Sequence, residues 1–482
     1  MSNEPIRLRL TDARFYMRNV RLRMPFRYGA ATLIGYPILH ARVSVEMSDG
    51  MRAEGVSADC LPPKWFDKSP DKNYEDNIRD MLFAVQAAHD AYLELASEPR
   101  TPFELMMDGL SAAMEARAEG GINELTASFG ASFFERAAAD AVCNALSLSF
   151  FEALQSNVLG VEMGAAHSEL EGLKPSDVLP SSPLDSLWIR HTVGLSDPIL
   201  TSEIDQEERL NDGLPQSLEE YIDAQKLRYF KVKVCGDDSV DLPRLQTIAE
   251  LLDARASGLY VVSLDGNEQY VEAAPFRSLV ETLRTKPVFE QFFNSIRYIE
   301  QPIHRDAALK PSLAEEMREL SSVKPVIIDE SDSGLDTFKQ ALEIGYRGVS
   351  SKNCKGVYKS LLNYALAKRG GHLMTGEDLA NAPVVPLHQD CATLAALGIS
   401  DAERNGHHYL RGLAHLSRSE RADCLEAHPR MYAVKGGLPQ LNVEGGRIDI
   451  RSLQTSGYAL GAPVDYRSMT PLDEWTFDSL SL

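Results

Sequence analysis

No apolar run in this 482-residue chain is long enough to span a bilayer, and Met1-Ser2-Asn3-Glu4-Pro5 has none of the apolar core of a secretory signal. Cysteine is scarce. The six (Cys60, Cys143, Cys235, Cys354, Cys391, Cys424) are scattered, with no CxxC pair and no zinc-like spacing, which argues against a disulfide framework and for a reducing compartment. These absences predict a soluble, cytoplasmic protein. Basic residues are in deficit, 49 against 70 acidic for a net charge of −21, which disfavours a nucleic-acid partner or an anionic membrane surface. An anionic small substrate stays compatible, because a bound cation overrides a negative mean field locally. Glycine and proline are not in excess, and no repeat or low-complexity tract is visible, so fibrous and disordered classes are set aside.

The length predicts two or three domains. Residues from about 7 to 57 read as antiparallel strands, with Ser48-Asp49-Gly50 as a hairpin signal and a loop, RLRMPFRYGAATL between Arg21 and Leu33, interrupting the meander. Residues from about 71 to 155 read as helical, with apolar positions such as Phe133, Ala137, Ala141 and Leu146 at helical spacing. From about residue 186 short β-rich runs alternate with helical stretches: SLWIRHTVGL, YFKVKV, LYVVSLD, RYIEQP, PVIIDE, GVSSK and HLMTGE. That alternation predicts a parallel sheet, and polar strand ends recurring roughly every 23–35 residues suit the pitch of a TIM barrel. A doubly wound open sheet is the rival, but its GxGxxG fingerprint is absent. The expected fold is α/β, a modified TIM (β/α) barrel with an α+β capping domain. Residues 1–185 form the N-terminal part of the cap, 186–414 the barrel, and 415–482 a C-terminal segment completing the cap.

Five successive predicted strands end in charge: Lys231 and Lys233, then Asp265, Glu300, Asp329 and Lys352. Singly each has a plain reading, as a solvent-facing strand, a turn, or a helix cap. Together they fall in register with the β-α pitch, and strand C-termini in a barrel converge on one mouth. Three converging carboxylates suit Mg²⁺, a hard cation that keeps room for water and substrate oxygens. Such an ion stabilises the second negative charge that appears when a carboxylate loses its α-proton. The flanking lysines suit acid/base work, with Lys231 expected to lower the pKa of Lys233 by like-charge repulsion.

As written in KVKVCG (231–236), LDGNEQY (264–270), YIEQP (298–302), IIDES (327–331) and SSKNCKG (350–356), this order resembles the enolase superfamily and, within it, the muconate lactonizing enzyme subgroup. The resemblance implies Lys233 and Lys352 as the acid/base pair, Lys231 as support, and Asp265, Glu300 and Asp329 as Mg²⁺ ligands. It implies Asn267 and Glu330 beside the ligands, and a homo-oligomer. It places the segment Pro25-Phe26-Arg27-Tyr28-Gly29 where substrate is read, so that Arg27 either pairs with a substrate anion or stays solvated. Glu377, where a later strand would end, either faces the ligand or caps a helix. His388 reads as structural, and His372 lies at the wrong end of its strand for chemistry. Three departures stand out: KNCKGVYKS where the family often has a Gly-Gly pair, an enlarged helical cap, and an insertion, PVFEQFFNSIR, expected to rim the site.

The expected reaction is Mg²⁺-dependent abstraction of the α-proton of a small carboxylate through an enediolate, completed as a racemisation or epimerisation. Cycloisomerisation or dehydration is the alternative within the superfamily, though no His-Asp dyad of the mandelate racemase type is visible. A Schiff-base aldolase would leave the three carboxylates without a role. A non-catalytic barrel is the remaining alternative.

Overall fold

A computed structural model describes residues 4–28, 31–256 and 260–481. The N-terminal sheet is an antiparallel meander of β1 (Leu8–Tyr28), β2 (Ala31–Met47) and β3 (Arg52–Cys60). Gly50, at φ +83°, closes the β2–β3 hairpin where a left-handed residue is required. The segment expected to be a loop instead continues the β1–β2 ladder, with a register irregularity between Arg21 and Phe26 and Tyr28 opposite Ala31. Beyond the irregularity Met24, Phe26 and Tyr28 are buried while Pro25 and Arg27 are exposed, the two-residue period of a half-buried strand. Gly29 and Ala30 of that segment lie outside the described residues.

Three helices cover this sheet: α1 (Tyr74–Glu94), α2 (Pro102–Gly120) and α3 (Glu124–Leu146). The first two begin at reciprocal capping boxes, Asn73 with Asp76 and Thr101 with Glu104. Every residue of α3 from Leu125 to Cys143 is buried, so this helix is a shared core element rather than a surface one. Its Arg136 ion-pairs with Asp59 of β3 at 2.9 Å in full burial.

The barrel follows as eight parallel strands in chain order: β4 (Ser186–Val193), β5 (Tyr229–Lys233), β6 (Val261–Asp265), β7 (Ile296–Glu300), β8 (Val326–Ile328), β9 (Gly348–Ser351), β10 (Leu373–Gly376) and β11 (Asp401–Glu403). It closes where β11 pairs with β4, Ala402 opposite Ile189. Later chain touches both units. Residues Arg447–Asp449 add antiparallel to the start of β4, and Thr470–Pro471 add to the free edge of β1. The insertion expected at the rim of the site forms a short helix, Glu290–Ser295, running directly into the first residue of β7. It therefore sits at the N-terminal end of the barrel, opposite the mouth, because it precedes its strand instead of following one. No helix among the described residues is long and apolar enough to cross a membrane.

The cap is tied to the mouth by specific bonds. Arg305 donates to the carbonyls of Trp65 and Phe66 at 2.8 and 2.7 Å, and the Arg23 amide donates to the Tyr409 carbonyl at 2.7 Å. Contact between β3 and α3 is closer still: a methyl at Gly55 would overlap the Ala137 carbonyl and the Ala141 nitrogen. Gly55→Ala is expected to cost about 1–3 kcal/mol by overpacking. Gly334→Ala, where the nearest atom is Thr337 Oγ1 at 3.4 Å, is expected within about 0.5 kcal/mol of wild type. Urea denaturation of the two variants checks this, and equal stabilities would contradict the packing assignment.

Candidate active site

Strand alternation turns Lys231 and Lys233 of β5 to one side, toward the barrel interior, with Val232 buried on the other. Asp265 and Glu300 end β6 and β7; Asp329 and Lys352 are the first residues past β8 and β9. All six are buried. β5 is second and β9 sixth in a ring of eight, so Lys233 and Lys352 face each other across the mouth. The three carboxylates occupy the arc between them.

The Lys231 ammonium sits at the centre of the floor. It lies 2.8 Å from Glu300, 2.9 Å from Glu377, 3.1 Å from Glu403 and 3.2 Å from Asp265. Burial alone would lower its pKa, but the four carboxylates override burial and hold it well above the ordinary lysine value. Lys231 is thus a buried cation met by four carboxylates, a placement that its expected action on Lys233 did not anticipate. Lys233 donates to Asp265 Oδ2 and Asn267 Oδ1, both at 2.8 Å. A raised pKa favours the charged form of Lys231 but the neutral form of Glu300. Burial first, then the neighbouring Glu377, raise its pKa well above the carboxylate range, and its Oε2 has no hydrogen-bond partner.

Asp329 is held by cations from β9 and the turn after it. Lys352 reaches its Oδ2 at 2.7 Å and Lys355 its Oδ1 at 3.0 Å. Burial raises the Asp329 pKa, but the two lysines outweigh it and leave the group well below its ordinary value. Lys352 also lies 4.3 Å from the centre of the Trp65 ring, a cation–π contact supplied by the cap. Asn267 links Lys233 to Glu330, donating to Glu330 Oε1 at 3.1 Å. Glu330 is thus one bond removed from the inner cluster, and Lys68 of the cap stands 3.6 Å from it while pairing with Glu268 at 2.6 Å.

A small pocket opens above this floor. Lys233, Asp329, Lys352 and Glu403 line its charged side; Phe26, Tyr28, Leu33, Pro62 and Trp65 line its cap side. Arg27 is not part of the lining. The strand period that aims Phe26 and Tyr28 inward turns Arg27 out to solvent. Glu377 lies beneath the pocket, bonded to Lys231, Arg190 and Tyr298, and the next residue, Asp378, reaches the lining. His388 is buried in a helix and bonds the Tyr432 hydroxyl at 2.8 Å. Sequence reasoning passed over Glu403, although it continues the same strand-end pitch after Glu377. It also passed over Trp65 and the role of Lys355, for which an aromatic in a loop and a lysine three residues after Lys352 gave only weak signals.

The residues fit a divalent cation. Three carboxylates on adjacent strand ends form an all-oxygen donor set, and the orphaned Glu300 Oε2, on an acid that resists ionising without an added positive charge, is an acceptor awaiting a cation.

No protein-family model matches the chain, and no curated protein matches it. Solved structures do, along nearly the whole length. A muconate lactonizing enzyme from Pseudomonas fluorescens, complexed with muconolactone, is 16% identical with a TM-score of 0.58, covering 95% of this chain and 98% of that one. A mandelate racemase/muconate lactonizing protein from Herpetosiphon aurantiacus is 15% identical with a TM-score of 0.59, over 95% and 99% of the two chains. A dipeptide epimerase from Enterococcus faecalis, complexed with Mg and the dipeptide L-Leu-L-Tyr, is 13% identical with a TM-score of 0.58, over 94% and 99%. The chain has the fold of these structures: a closed barrel with a capping domain.

Removing the central cation leaves several buried carboxylates uncompensated, so Lys231→Met is expected to cost about 3–5 kcal/mol. Lys233→Met is expected to cost less, since Asp265 keeps Lys231. Thermal denaturation of the two variants measures the difference, and a smaller loss for Lys231→Met would refute the assignment of Lys231 as the keystone.

Proposed function

We propose that the chain is a member of the enolase superfamily that removes the α-proton of a small carboxylate with the help of Mg²⁺, and that it works as a racemase or epimerase. The observation that carries this reading is the placement of Lys233 and Lys352 on opposite walls of one pocket, each beside a carboxylate of the arc. Two lysines on opposite sides of a bound α-carbon, one as the neutral amine and the other as the ammonium, are what a 1,1-proton transfer needs. One takes the proton from one face, and the other delivers a proton to the opposite face. Asp265 and Asn267 fix the Lys233 nitrogen, while Asp329 and the Trp65 ring fix that of Lys352.

Asp265, Glu300 and Asp329 would hold the Mg²⁺, whose two positive charges stabilise the enediolate dianion. Phe26, Tyr28, Leu33 and Trp65 exclude water above the reacting carbon. This apolar wall suits a carboxylate with an apolar substituent, such as an N-acyl amino acid or a dipeptide, better than a polyhydroxylated acid sugar.

The test is exchange of substrate α-protons in D₂O with Mg²⁺, across N-acyl amino acids, dipeptides and acid sugars. Lys233→Ala and Lys352→Ala are each expected to lower exchange of at least one enantiomer on the order of 10²–10⁴-fold, and Glu300→Gln to raise the Mg²⁺ concentration required. Exchange that survives both lysine substitutions would refute the proposal. Net loss of water from the substrate would assign elimination in place of epimerisation.

A further inference from the structure

Outside the pocket, three histidines gather in the wall of the barrel. Arg190 and Thr192 of β4 point inward, to Glu377 and Glu403, so His191 between them points outward, against Tyr221 of the helix Leu218–Gln225. His407 and His408 come from the turn after β11, the strand that closes the barrel onto β4. One ring nitrogen from each of the three lies within 4.8 Å of the other two. His191 Nδ1 and His407 Nε2 are 2.8 Å apart. Both nitrogens of His408 and Nδ1 of His407 have no hydrogen-bond partner, though His408 is only 2% exposed.

We infer that His191, His407 and His408 form a second metal site, distinct from the carboxylate arc, that takes a borderline transition-metal ion of the Zn²⁺ or Co²⁺ kind. Three imidazoles with a fourth position open are an established donor set for such ions, and the absence of carboxylate from the trio selects against Mg²⁺ and Ca²⁺. Nitrogens on one tetrahedral ion, each about 2.0–2.1 Å from it, stand roughly 3.3 Å from one another, so the trio, now within 4.8 Å, would draw together on an ion. Burial keeps all three rings below the ordinary histidine pKa and hence neutral, the ligating form. Arg23, the nearby cation, donates to the Tyr221 hydroxyl and is neutralised by Asp212 at 2.5 Å. A buried polar atom without a partner is costly, and an ion would satisfy one of the two unpartnered His408 nitrogens. Occupancy would pin the turn that carries Asn405, which lines the catalytic pocket, to β4 and thereby lock the barrel seam.

The test is equilibrium dialysis of the metal-stripped full chain against Co²⁺ in the presence of excess Mg²⁺, read by the visible d–d bands. One tightly held Co²⁺ per chain with tetrahedral bands is expected, retained in Glu300→Gln and weakened at least tenfold in His407→Ala and in His408→Asn. X-ray absorption of the Zn²⁺-loaded wild type gives a reading independent of the variants' folding, and a shell of three imidazole nitrogens is expected. No Co²⁺ retained against Mg²⁺, bands unchanged in both histidine variants, or an all-oxygen shell would each overturn the inference.

Discussion

At the floor of the barrel one ammonium group, that of Lys231, is within 3.2 Å of four carboxylates delivered by four different strands. Such a concentration of acid inside a protein is unfavourable unless a fixed positive charge stands in its midst. The buried lysine supplies it without leaving the scaffold, and the geometry of the remaining groups follows. Asp265 is shared with Lys233 and so holds that lysine at the pocket wall. Glu300 is left with one oxygen unpartnered. Glu403 reaches in from the closing strand and bonds Thr192 of the first. The central charge therefore organises the ring as much as the pocket above it.

The cap completes what the barrel leaves open. Charge comes almost wholly from strand ends, whereas the apolar wall comes from the β1–β2 arm and the loop holding Trp65. Trp65 belongs to both roles, because its ring lies against the Lys352 ammonium while its carbonyl accepts from Arg305 beside the mouth. In the proposed reaction, substrate selection and proton transfer would thus depend on separate parts of the chain that meet at one indole.

Much of this was legible in the sequence because barrel strand ends are written at a regular pitch and carry charge. Asp265, Glu300, Asp329 and Lys352 could be placed from spacing alone, and the parallel closed barrel came with them. What could not be read was direction. The residues around Arg27 looked like a loop because Pro25 and Gly29 punctuate them, and only the ladder to β2 reveals that Phe26 and Tyr28 face inward. Lys231 was identified, but its function depends on Glu377 and Glu403, which arrive from strands 146 and 172 residues away. The insertion before β7 was visible as extra length, yet length does not say which end of a strand it lengthens.

The return of the tail to β1 has a consequence for how the molecule is made. Arg18 of the first strand pairs with Glu420, and Asn19 accepts a bond from Trp475, a residue synthesised 456 positions later. Contacts of such separation form late, after the intervening chain has collapsed. Until Thr470 and Pro471 arrive, the outer edge of β1 at Tyr16 and Met17 is unpaired, the kind of surface that invites pairing with a stranger. The same two-residue strand that finishes the sheet also ends that period of exposure, so the final stretch of the chain protects the first.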